Sequence, residues 1–150
     1  MGKYAGQTSV SVSRSKAEIE QLLTRYGCTG FMSAWGTLGS TIAFQANGRQ
    51  VRFFLPEPSR NDPEITMTSS GRVRTDSQIE TAFKQAQKQR WRALLLAIKA
   101  KLEAVECGIV TFDQEFLAHI VGPGGQTVGE TLIPAIEAGE SELPKLGFKA

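Results

Sequence analysis

The sequence predicts an α+β domain: a small antiparallel sheet that begins β-α-β-β, packed with a long basic helix and two shorter C-terminal helices. Three observations predict it. Asn47-Gly48 separates two alternating apolar runs, Ser15-Lys16-Ala17-Glu18 opens an apolar stripe, and a long stretch from Ser77 winds an apolar sector at helical spacing. At 150 residues the chain fits a single domain, 1–150. Such a domain buries roughly 68–70% of its unfolded surface and needs no covalent staple.

TSVSVSR at 8–14 alternates Val10 and Val12 with small polar residues, the period of a half-buried strand. A helix is then expected from Ser15, whose hydroxyl and the Glu18 carboxylate would satisfy unpaired amides of the first turn. Ile19, Leu22, Leu23 and Tyr26 fall on one face of it, and Gly27 suits its end. FMSAW at 31–35 reads as a short strand. STIAFQANGRQVRFFLP at 40–56 reads as a hairpin, with Ile42 and Phe44 on one arm and Val51, Phe53 and Leu55 on the other. Arg52 and Phe54 then face the opposite side of the sheet.

Residues 57–76 are rich in turn formers and predict a long loop or an edge hairpin turning at Ser70-Gly71. The long helix is expected over about Ser77–Glu106, with Asp76 as N-cap and Gly108 past its end. Within it "QRWRALLLAIKAKLEAVE" sets Trp91, Leu94, Leu95, Ile98, Leu102 and Val105 in the apolar sector. Lys84, Lys88, Arg92 and Lys99 gather on a neighbouring strip. Thr111 is placed to cap a helix over FDQEFLAHIV, with Phe112, Phe116, Leu117 and Ile120 spaced for the core. Thr127–Ala138 forms the last helix, kinked or shortened at Pro134, and the tail from 139 to 150 reads as irregular.

The bulk numbers exclude several classes. Net charge is only +2, but it is polarised: residues 72–101 hold eight cations against two carboxylates, and residues 102–150 hold eight carboxylates against two cations. A basic block attracts polyanions, yet an acidic neighbour can neutralise it within the fold or across a homo-oligomer. Cys28 and Cys107 lie far apart and outside metal-ligand spacing, so two reduced core thiols are expected. No apolar run reaches the ~20 residues of a membrane span, and MGKYAGQTSVSVS lacks the core of a secretion signal. A soluble protein of the cytoplasm is the expectation.

Catalytic chemistry is hard to place. His119 is the lone histidine, and with Glu115 it falls short of the ligands a metal needs. GPGG at 122–125 lacks the Lys-Ser/Thr of a phosphate-cradling loop. Asp113 with Glu115, and Glu103 with Glu106, are close in sequence but lie on helical stretches where such residues are usually solvated. No catalytic residue, metal site or cofactor is expected.

Three segments carry a resemblance: SVSVSRSKAEIEQLLTRYG at 9–27, GRQVRFFLPEP at 48–58, and QRWRALLLAIKAKLEAVECGIVTFDQEFLAHIVGPGGQTVGETLIPAIE at 89–137. Together they resemble a family of short hypothetical proteins of tailed bacteriophages and prophages. The resemblance implies a bacterial host cytoplasm and small-protein tasks in replication, recombination or counter-defence, and no activity.

The leading expectation is non-catalytic binding of nucleic acid, single-stranded DNA above all. Its site would be Arg52, Phe54, Arg72, Arg74, Lys84, Lys88, Arg92 and Lys99, with Phe31, Trp35, Phe54 or Trp91 offering a face for an unpaired base. The alternative is an interaction protein that inhibits a host defence or replication component or sequesters a nucleotide signal. It would be marked by a homo-oligomer joining the acidic third of one chain to the basic helix of the next. A third reading, a divalent-metal hydrolase, needs carboxylates from separate elements to converge.

Overall fold

A computed structural model describes residues 6–139 of the chain. It is α+β: helix α1 (Val12–Arg25), strands β1 (Gly30–Trp35), β2 (Gly39–Ala46) and β3 (Arg49–Pro56), then helices α2 (Pro63–Thr66), α3 (Asp76–Glu106), α4 (Phe112–Phe116) and α5 (Val128–Ala138). The strands form one antiparallel sheet in the order β1-β2-β3. Asn47 (φ 52°) and Gly48 (φ 70°) make the two-residue turn between β2 and β3, because that turn needs left-handed backbone at both positions. The tail expected to be irregular lies, beyond Gly139, outside the described residues.

One face of the sheet is covered. Ile42, Phe44, Val51 and Phe53 meet Ile19, Leu22 and Leu23 of α1 and Trp91, Leu94, Leu95, Ile98 and Leu102 of α3 in a single core, which α4 closes with Phe112 and Phe116. Phe116 lies at the centre of the aromatic group, edge-on to Phe44 at 5.9 Å and stacked on Phe112 at 4.6 Å. A second, smaller core joins Ile65 of α2 to Phe83 and Ala86 of α3. It holds the 57–75 connection against α3, and the chain reverses there through a Met67–Val73 bridge with Gly71 at φ 84°. Trp91, Leu94, Leu95, Ile98 and Leu102 therefore form an inward helix face, and no helix among the described residues is long and apolar enough to cross a membrane.

Several expectations are corrected. TSVSVSR is not a strand, so the fold does not begin β-α-β-β. Ser11, not Ser15, caps α1, accepting from the Arg14 amide, and Val12 joins Ile19 and Leu23 on the core side of the helix. Alternation over two valines fits either period, and as the first residue of the helix Val12 packs on the core. Thr75, not Asp76, caps α3 through a capping box with Gln78. The helix after Thr111 ends at Phe116 and tightens into a 3-10 turn over Leu117–His119, leaving Leu117 exposed. Ile120 and Val121 then run beside β3, where the Val121 amide donates to the Gln50 carbonyl at 2.8 Å. α5 continues through Pro134 to Ala138. Both cysteines are free, but only Cys28 touches the core, while Cys107 is exposed.

Candidate functional site

The eight residues expected to bind nucleic acid lie on three separate surfaces. Arg52 and Phe54 project from the sheet face opposite the core, because they alternate with Val51 and Phe53. Lys84, Lys88, Arg92 and Lys99 run along α3 beside its apolar sector, on the flank where α1 packs alongside at Glu18. Arg72 and Arg74 belong to the tight turn after α2.

Three of the seven cations in this set, Arg52, Arg74 and Arg92, are hydrogen-bonded within the chain. Arg92 pairs with Glu18 of α1, and that hydrogen bond holds the Glu18 carboxyl below its ordinary range. Arg52 pairs with Glu130 at 2.9 Å and donates to the Gly125 carbonyl at 3.0 Å. Arg74 donates to the carbonyls of Glu64 and Ile65. Lys84 lies one turn from Glu80, whose acidity it helps to raise behind the larger effect of Arg60. Among the described residues, Lys88, Lys99 and the Arg72 side chain make no ion pair.

The acidic third of the chain meets the rest in the same way. Asp113 binds Arg49 through both carboxylate oxygens, at 3.1 and 2.9 Å, and Glu115 binds Lys101 at 3.2 Å. Glu103 accepts from the Tyr26 hydroxyl at 2.5 Å. These carboxylates point to different elements, and no group of three or more metal-ligating side chains occurs among the described residues. His119 stacks on Phe53 at 4.0 Å between ring centres. Burial pushes its pKa below the usual value, with the Lys101 charge adding to the effect, so the ring is neutral at pH 7. The cleft between α2 and α3 has two cations, and both are bonded: Arg74 as above, and Arg90 to the Pro56 carbonyl at 2.7 Å.

What the sequence reading missed is apolar surface. Of the four aromatics considered for base stacking, Trp91 is buried and Phe31 half-buried, while Phe54 is 56% and Trp35 84% exposed. On α5 the exposure is more continuous: every described residue from 130 to 139 is exposed, including Leu132 at 50%, Ile133 at 52% and Ile136 at 65%. At ~100° per residue those three share one stripe, and Gly129 lies on the same side. Gly129 rests so closely on the turn after α4 that a Cβ there would sit 2.8 Å from the Ala118 carbonyl oxygen. The first turn of α5 is thus seated on the body of the fold, and the stripe runs on past it. A helix so apolar with a single seated turn was detectable as LIPAI in sequence, but its exposure was not.

No family model, curated protein or solved structure matches the chain.

Proposed function

We propose that the chain is a non-catalytic protein-interaction module that presents α5 to a groove on another protein. The observation that carries this reading is the stripe of Leu132, Ile133 and Ile136, which no described residue covers. Spacing of this kind is how an amphipathic helix anchors in an apolar groove. Isolated exposed aliphatics are ordinary on soluble proteins, whereas three on one overhanging helix face form a contiguous patch. The partner's chemistry follows from the stripe and its flank: the three anchors are aliphatic, and with Glu130 paired to Arg52 the charge left on α5 is Glu137, so the groove should be aliphatic with a cation placed to meet Glu137. Removing the remaining exposed area of each anchor from water is worth about 1–2 kcal/mol, half to two-thirds of the ~1.5–3 kcal/mol for fully burying such a side chain. The phage resemblance supports a partner from host defence or replication, in the bacterial cytoplasm.

Nucleic-acid binding is the competing outcome, and one set of measurements separates the two. A photoreactive residue at position 133 in cells should give a discrete protein adduct that Ile136→Asp abolishes. The purified partner should then bind Ile133→Asp at least tenfold more weakly than wild type, with the melting temperature of the variant unchanged. Replacing Lys84, Lys88 and Lys99 together by Ala should leave that affinity alone. Absence of an adduct, together with oligonucleotide binding that falls steeply with salt and is lost in the triple-lysine variant, would establish the nucleic-acid reading instead.

A further inference from the structure

Among the described residues nothing pairs with the outer edge of β1, and natural sheets avoid leaving an edge in that state. The Gly36 amide donates to the Gly39 carbonyl at 2.8 Å, which sets the alternation of the β1–β2 ladder. Gly30, Met32 and Ala34 therefore bond toward β2, and Phe31, Ser33 and Trp35 direct their amides and carbonyls outward. No backbone hydrogen bond reaches those three from any other described residue. Exposed edges are ordinarily blunted by a lysine, a proline, an inward charge or a covering element. β1 has none of the first three, and the chain holds no charged residue between Arg25 and Arg49. Residues 8–11 lead into α1 and residues 12–14 are its first turn, so among the described residues no N-terminal strand pairs with this edge either.

We propose that the edge is completed by a second copy of this chain, β1 against β1 antiparallel, about a two-fold axis through Ser33. This surface is separate from α5 and does not depend on the reading given to it. The register is set by the strand itself. With Ser33 opposite its own copy, Phe31 lies opposite the partner's Trp35, and all three outward residues form reciprocal pairs, six backbone hydrogen bonds in all. A shift of two residues in either direction leaves one outward residue of each copy unpaired. On the core-side face the register places the exposed Trp35 ring beside the half-buried Phe31 ring, an aromatic cross-strand pair. On the other face it places Met32, 54% exposed, beside the small Ala34, so large meets small across the seam. Trp35 alone brings about 200 Å² to the contact, a sizeable share of the ~800 Å² per partner of a standard interface. β1 itself carries no charge, so the strand pairing sets no like charges opposite one another. The product is a continuous six-stranded sheet in which the faces bearing Met32 and Phe54 of the two copies lie side by side.

Sedimentation velocity on the full chain from about 1 to 500 μM, joined to amide exchange, tests this. The mass should rise from the 16.3 kDa monomer toward twice that value as concentration increases. Amides of Phe31, Ser33 and Trp35 should gain protection in step with the dimer, while those of Met32 and Ala34 are protected throughout by β2. Ser33→Lys, which sets two ammonium groups side by side at the axis, should weaken association at least 30-fold with an unchanged circular dichroism spectrum. Ser33→Pro removes an amide that faces outward in the monomer and should do the same. A wild-type chain that stays monomeric at 500 μM, a dimer that survives both substitutions, or exchange at 31, 33 and 35 that ignores concentration overturns the proposal.

Discussion

Replacing Ser15 by alanine should stabilise the protein, and replacing Ser11 should destabilise it. Ser15 is fully buried in α1, and its hydroxyl is without a hydrogen-bond partner among the described residues. Leaving such a group unsatisfied costs about 1–3 kcal/mol, and alanine also has a helix propensity better by roughly 0.5 kcal/mol. Against this stands the loss of one atom of packing, under about 1 kcal/mol. The net expectation is a gain of about 1–2 kcal/mol, or roughly 2–8 °C in melting temperature for a domain of this size. Ser11 accepts from the Arg14 amide at 3.2 Å as the N-cap, so Ser11→Ala should cost about 1 kcal/mol. Urea unfolding of the two variants, with slopes equal to wild type, gives both values. The two placements of the helix start predict opposite signs: if Ser15→Ala destabilises by about 1 kcal/mol and Ser11→Ala is neutral, the helix begins at Ser15 and the reasoning fails.

Two further predictions concern the core and its edge. Phe116→Ala should cost about 3–5 kcal/mol, toward the upper end because the ring meets Phe44, Phe53 and Phe112, and a loss under about 2 kcal/mol in urea would contradict that packing. His119 has its pKa lowered on folding, so the unfolded chain takes up its proton first. Its stabilising effect is present above pH ~6.5 and is lost as pH falls through the folded value. The unfolding free energy of wild type should therefore drop between pH 7 and 5, and His119→Gln should flatten that slope. A slope unchanged by the substitution would rule out His119 as its source. The lowered carboxylates Glu18, Glu80 and Asp113 act in a separate window, below pH ~4.5, where protonation removes their arginine contacts.

Much of the fold is local and so could be read from the chain. Asn47-Gly48 specifies its turn by the backbone conformation it tolerates, Thr111 and Thr127 cap helices with side chains three residues from their partners, and Trp91 is buried because its helical neighbours are apolar. The start of α1 was misplaced because Ser11 and Ser15 are both competent caps, and only packing chooses between them.

The sequence alone determined the α+β class, the three strands, the long helix α3 and the place of α5, since turns, caps and periodicity act over a few residues, while α2 and the early end of α4 were not legible. Tertiary structure decided what remains free to act. Arg92 meets Glu18 across 74 positions and Arg52 meets Glu130 across 78, so two of the cations that looked available are paired. The bare edge of β1 and the overhang of α5 were likewise decided in three dimensions, because whether an apolar side chain or a backbone amide is covered depends on which distant segment comes to rest against it.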